Sequence, residues 1–196
     1  MLGAASTLSA QGFEITPIGG YRFGNDFFEI LTRRPLDIDG APAIGVVVDI
    51  PTSEDFQIEG LYSHQHATAL VPVLPAAPPV SWQFDVDHWQ AGGLRLYDIG
   101  RPRVQPFLTG TLGLTRYASD TQSEIRFTLG AGGGVKLMPS RHIGVRLDGR
   151  GYMTFADADV SLFACSTLSA NPGCLVAFNA NLVWQAEFTA GVVFRF

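Results

Sequence analysis

The chain has 196 residues and a formal net charge of -5; hydrophobic residues make up 46% and charged residues only 16%. That balance excludes a disordered chain, which would lack apolar side chains, and a nucleic-acid binder, which would show a basic stripe. No run of about 18 apolar residues is present, so a membrane-spanning helix is excluded, and an all-β chain, water-soluble or membrane-embedded, remains.

In chain order, Met1 to Ala10 (MLGAASTLSA) reads as the tail of a secretory signal peptide or a loose lead, and 11–196 as one domain. From there apolar residues recur with period 2, the signature of half-buried strands. The first strand alternates Phe13, Ile15, Pro17, Tyr21 and Phe23 with Glu14, Thr16 and Arg22. The second sets Ile44, Val46, Val48 and Ile50 against Val47 and Asp49, and the third Phe56, Ile58 and Tyr62 against Gln57, Glu59 and Ser63.

The fourth, about Trp82 to Tyr97, is ambiguous. Asp85, Asp87 and Arg95 share a face with Trp89, while His88 and Gln90 align with Phe84, Val86 and Leu94, so a bulge near Trp89 to Gly93 is expected to reset the phase. The fifth, Gln105 to Tyr117, is oriented only by Arg116. The sixth sets Ile125, Phe127, Leu129, Val135 and Leu137 against Glu124, Arg126, Thr128 and Lys136. The seventh sets Ile143, Val145, Leu147, Met153 and Phe155 against Arg146, Asp148, Arg150 and Thr154. The eighth alternates Leu182, Trp184, Ala186, Phe188, Ala190, Val192, Phe194 and Phe196 with Gln185, Glu187, Thr189 and Arg195.

Links at 51–54, 99–104 and 139–142 are short, and those at 24–43, 66–81 and 157–180 are long; the link at 119–123 is the short exception among the second set. An even strand number with short turns at one end and longer loops at the other predicts an eight-stranded antiparallel up-and-down transmembrane β-barrel. Alternation by itself does not say which face is inside, because a soluble barrel points its apolar face inward and a membrane barrel outward. The residue types favour the second. The polar face carries eight acids (Glu14, Asp49, Glu59, Asp85, Asp87, Glu124, Asp148, Glu187) and eight bases (Arg22, Arg95, Arg116, Arg126, Lys136, Arg146, Arg150, Arg195). Such a balanced, arginine-rich set suits a confined lumen, where the guanidinium fork pairs with carboxylates. Phe13, Tyr21, Phe23, Phe155, Phe194 and Phe196 would supply interfacial girdles at the strand ends.

The C-terminal run Thr189-Ala190-Gly191-Val192-Val193-Phe194-Arg195-Phe196 resembles the assembly signal of bacterial outer-membrane barrels: a polar residue, a glycine, alternating aromatic or apolar residues and a terminal Phe. The openings Phe13-Glu14-Ile15-Thr16-Pro17 and Gly19-Gly20-Tyr21-Arg22-Phe23, and the runs Gly132-Gly133-Gly134-Val135-Lys136 and Ser140-Arg141-His142-Ile143-Gly144-Val145-Arg146, are similar to strands of this class. Over 11–196 the chain resembles the small eight-stranded OmpA-, OmpX- and OmpW-like barrels. The resemblance implies a monomer in the bacterial outer membrane, surrounded by lipid and lipopolysaccharide and inserted by the barrel assembly machinery, which would read Thr189, Gly191, Phe194 and Phe196.

Cys165 and Cys174 enclose eight residues and are expected to form a disulfide in an oxidising compartment. The apolar, proline-rich loop 70–80 is a candidate contact for an extracellular partner or for lipid. Site chemistry is sparse. No His-x-Ser pair suggests lipid A hydrolysis, and Ser63 and His64, being adjacent, point to opposite faces of a strand. His64-x-His66 could present two imidazoles for zinc or copper, but no Cys or carboxylate lies close in sequence to complete a site, so neither metal nor cofactor is expected. A non-enzymatic scaffold or surface-interaction barrel with a charge-filled lumen is the leading expectation; a narrow gated channel and a lipid-A-modifying enzyme are the alternatives.

Overall fold

The computed structural model describes residues 12–23, 26–28, 35–37, 40–71, 80–119, 122–155 and 182–196. The expected leader 1–10, the Cys165–Cys174 loop and most of the proline-rich loop lie outside these residues. Eight strands close into a barrel: β1 (Glu14–Phe23), β4 (Ala41–Pro51), β5 (Phe56–Val71), β6 (Val80–Leu96), β7 (Val104–Ala118), β8 (Ser123–Leu137), β9 (Ile143–Phe155) and β10 (Leu182–Arg195). Each pairs antiparallel with its neighbours in the barrel, and β1 closes the ring on β10 at one side and β4 at the other. A small hairpin, β2 (Asp26–Phe28) with β3 (Pro35–Asp37), lies within the long first link, which the sequence pattern left without structure.

Closure explains the alternation. With every backbone group paired around the ring, the barrel has no open edge, and each strand sends alternate side chains to the lumen and to the outside. Ile44, Ile58, Leu108, Leu112, Leu114, Ile125, Leu147, Trp184 and Phe188 are all exposed on the outside, while Glu14, Arg22, Asp49, Glu59, Lys136, Arg146 and Glu187 are buried within. So large an apolar belt would be costly to expose to water; its partner is lipid. Aromatic pairs mark the two ends of the belt. Phe13 stacks on Phe196 at 4.9 Å where β1 begins and β10 ends, and Tyr62 with Trp89 (5.7 Å) and Phe127 with Phe155 (5.9 Å) lie toward the other end.

The short links have local chemistry that fixes them. After β4, the backbone N–H of Thr52 and of Ser53 both donate to the Phe56 carbonyl. Before β7, Gly100 takes a left-handed φ of 71°, and its N–H donates to the Asp98 carboxylate at 2.7 Å. The Ser140 hydroxyl accepts the Ile143 N–H at 2.9 Å and starts β9. These three turns, the start of β1 and the end of β10 define one end of the barrel, the turn end; the longer links define the loop end.

Two expectations need correction. First, β6 has no bulge: its register to β5 runs unbroken from Phe56 opposite Arg95 to Val71 opposite Val80. Phe84, Val86, His88, Gln90 and Leu94 therefore face inward, and Asp85, Asp87, Trp89 and Arg95 outward. The large Trp89 ring joins the outer aromatic belt and sets the phase. The acids escape the lipid because they lie beyond that belt, toward the loop end. Arg116 is likewise outward, on β7 beside Asp87, and the leucines Leu108, Leu112 and Leu114 share its face. Second, β5 and β6 extend further than the apolar pattern, so His64, His66 and Leu70 belong to a strand and the link narrows to 72–79.

Candidate functional site

The lumen at the turn end is filled by one ionic cluster built from six strands. Arg146 on β9 is its hub. Its guanidinium donates to Asp49 (2.9 Å) on β4, Glu59 (2.5 Å) on β5 and Asp148 (2.8 Å) on its own strand. Its cationic face lies 4.4 Å above the Phe107 ring. Arg150, four residues on and so on the same face, grips both oxygens of Glu59 at 2.7 and 2.9 Å and reaches Asp148 at 2.6 Å. Lys136 on β8 donates to Glu14, Asp49 and the Gln57 amide oxygen, each at 2.7 Å, which uses all three ammonium protons. Arg195 on β10 closes the set on Glu14 at 2.7 Å.

Glu14, Asp49, Glu59 and Asp148 thus face Lys136, Arg146, Arg150 and Arg195, an exactly neutral set in which only Arg195 is appreciably exposed. Buried charges are tolerable only when so compensated. The glycines of β8 make the room. A Cβ at Gly132 would stand 2.5 Å from the Gly149 carbonyl and 2.8 Å from the Arg150 side chain; one at Gly134 would stand 2.9 Å from the Phe107 ring. Gly132→Val is accordingly expected to cost about 1–3 kcal/mol, as overpacking does, read as a lower urea midpoint in detergent. Gly110→Ala, on the outer face with open space around it, should leave the midpoint unchanged.

Above the cluster Ile18, Val47, Leu61 and Tyr152 are buried together, with Thr16 opposite Val47 and Gln90 opposite Leu61 at the same level. Toward the loop end a second pair follows. Arg22 binds Glu187 (2.7 Å) and the Ser63 hydroxyl (2.6 Å), and Ser63 in turn donates to Glu187 (2.9 Å). His88 stacks on Tyr152 at 4.3 Å and touches Thr115, from which a chain of hydroxyls runs through Thr128 to Thr154.

Of the residues singled out for the lumen, Glu14, Asp49, Glu59, Lys136, Arg146, Asp148 and Arg150 meet in the turn-end cluster, and Arg22 and Glu187 form the second pair. Arg126 faces inward at the loop-end mouth, bonded to Glu124 at 2.6 Å and apart from the cluster. Asp85, Asp87 and Arg95 are not in the lumen. Arg95 is 63% exposed beside Asp55 at the turn end, and Asp87 is held on the outer face by Arg116, Tyr62 and His64. The sequence carried a signal for this: Trp89 shares their parity, and a tryptophan is a stronger marker of the lipid boundary than an aspartate is of the lumen. His88 and Thr115 were missed as lumen residues because the phase of β6 and β7 was not legible from their mixed faces, whereas Thr128 and Thr154 fall on the polar face with Arg126 and Arg150. In the terminal run, Thr189 faces inward and Phe194 and Phe196 outward.

No family model matches the chain, and no curated protein matches it in sequence. Solved structures do resemble it. Neisserial surface protein A superposes with a TM-score of 0.64 at 14% identity, covering 94% of this chain and 97% of that one. OprG from Pseudomonas aeruginosa gives 0.56 at 10% identity over 95% and 96%, and outer membrane protein W of E. coli 0.51 at 11% over 97% and 100%. The fold is that of the small eight-stranded outer-membrane barrels.

Proposed function

We propose that the protein is a non-enzymatic integral outer-membrane barrel, a membrane-embedded scaffold that offers its loop end to the surroundings and does not pass solutes. The observation that carries this reading is the neutral ionic cluster at the turn end. Eight strands leave a bore just wide enough for side chains, and here Arg146, Arg150, Lys136 and their four carboxylates fill it, backed by the buried cluster of Ile18, Val47, Leu61 and Tyr152. An ion entering would meet charges already paired, then a layer filled by the side chains of Ile18, Val47, Leu61 and Tyr152. Outer-membrane barrels with similar architecture support the location, and insertion by the assembly machinery through Thr189, Gly191, Phe194 and Phe196 belongs to the same proposal. So does a surface partner at the loop end, with loop 70–80 as its candidate contact.

The test is electrical. Purified, refolded protein in a planar bilayer is expected to give no steady current, and Arg150→Ala, which opens the cluster on one side, is expected to introduce one. A steady ohmic conductance from the unaltered protein would overturn the scaffold reading in favour of a narrow channel. One observation gives that second reading a foothold: the side-chain amide of Gln185 and Nε2 of His88, buried in the loop-end half, have no polar partner beyond each other among the described residues, so this half can hold water. A lipid-A-modifying activity draws no comparable support, since Ser63 is engaged with Arg22 and Glu187 while His64 points out of the barrel.

A further inference from the structure

The outer face of the β5–β6 ribbon carries a feature that the closed lumen does not use. His64 and His66 sit two residues apart on one strand and so point the same way. Directly across, on β6, Asp87 stands opposite His64 and Asp85 opposite His66. Each imidazole meets its carboxylate through Nδ1, His64 to Asp87 at 2.8 Å and His66 to Asp85 at 2.7 Å. Asp87 is itself fixed: its side chain is only 5% exposed, its Oδ1 also accepts the Tyr62 hydroxyl at 3.0 Å, and its Oδ2 lies 3.2 Å from Arg116. The carboxylates that the sequence failed to place near His64-x-His66 come from the neighbouring strand.

We propose that His64 and His66 form a surface binding site for one first-row transition-metal ion, zinc or copper, at the loop end of the barrel. A neutral imidazole that donates from Nδ1 to a carboxylate is left with its Nε2 lone pair free, more basic and held in orientation; that carboxylate–histidine arrangement is how protein imidazoles are prepared for a metal. Here it occurs twice, side by side, and His66 also meets the exposed Gln83 side chain, which an arriving ion displaces. Both rings are open to solvent, 34% exposed for His64 and 57% for His66, so an ion can reach them. The two aspartates act as orienting partners rather than ligands. Among the described residues no three His, Cys, Asp or Glu side chains converge, so the ion would hold two imidazole nitrogens and complete its shell with water or a bound anion. Nitrogen donors select zinc and copper over calcium and magnesium, which prefer oxygen. The site is independent of whether the lumen conducts.

Isothermal titration of Zn²⁺ into the untagged, folded barrel in detergent tests it. One ion per chain is expected, undiminished by excess Mg²⁺. His64→Gln and His66→Gln should each abolish binding, Asp87→Asn should weaken it about 10- to 100-fold, and His142→Gln, at the turn end, should change nothing. No uptake by the unaltered chain would overturn the site. So would undiminished affinity in either the His64 or the His66 variant, or loss of binding in the His142 variant. Should the histidine variants fail to fold, Cu²⁺ electron paramagnetic resonance on the unaltered protein decides: hyperfine structure from two imidazole nitrogens supports the site, and from one nitrogen or none overturns it.

Discussion

Arg146→Ala is expected to lower the unfolding free energy of the barrel by about 3–5 kcal/mol, the cost of removing one partner from a buried ionic set. Three carboxylates, those of Asp49, Glu59 and Asp148, lose their shared cation at once, and the Phe107 face loses the guanidinium above it. Lys136 and Arg150 remain, but their donors are already directed at the same acids, so they cannot take up three vacated positions. Arg146→Lys should recover only part of the loss, because a single ammonium cannot reproduce a planar fork that spans three acceptors. Arg95→Ala is the control. It removes the same side chain from an exposed pair, 3.6 Å from Asp55, and exposed pairs contribute about 0–1 kcal/mol. Urea unfolding of the refolded protein in lipid vesicles measures all three, and an Arg146 variant no weaker than the Arg95 variant would mean that the cluster is not what holds the lumen.

Leu112→Arg is expected to cost about 2–4 kcal/mol, the price of a cation on the lipid face near the middle of the bilayer. Leu112 is 58% exposed at the centre of β7, between Leu108 and Leu114, which are similarly open. On a water-soluble barrel a leucine so exposed could become arginine with a change within about 0.5 kcal/mol. The sign of the outward face is therefore read directly: a strong loss in vesicles follows only if acyl chains surround the belt. The same reasoning predicts that the unaltered chain needs detergent or lipid to stay dispersed. A tolerated Leu112→Arg, in a protein that remains soluble in buffer, would reverse the inside and outside of the barrel.

The number of barrel strands, their antiparallel pairing and the turn and loop ends were legible in the sequence because each depends on local information. Period 2 marks a strand, and Thr52-Ser53, Asp98-Gly100 and Ser140 fold their turns through bonds spanning two to four residues. In β1, β4, β8, β9 and β10 the faces were legible too, since there every charged residue falls on one parity and most large apolar residues fall on the other. β6 and β7 differ. Asp85, Asp87, Arg95 and Arg116 marked as lumen face what is the outer face, because a charge reports only that water or a counter-ion is near. The lumen meets that condition, and so does any outward position above or below the lipid belt.

By itself, then, the sequence determined that this chain is a closed ring of eight strands with one oily and one ionisable surface, because a pleated strand turns every second side chain the same way. Tertiary structure decided which charges meet. Lys136 finds Glu14 across 122 positions and Arg146 finds Asp49 across 97, and Asp87 reaches His64 only because β6 pairs with β5 in a register set by the whole ribbon. Those partnerships depend on how the ring closes and how far each strand extends past the bilayer, and neither quantity is written in any single segment.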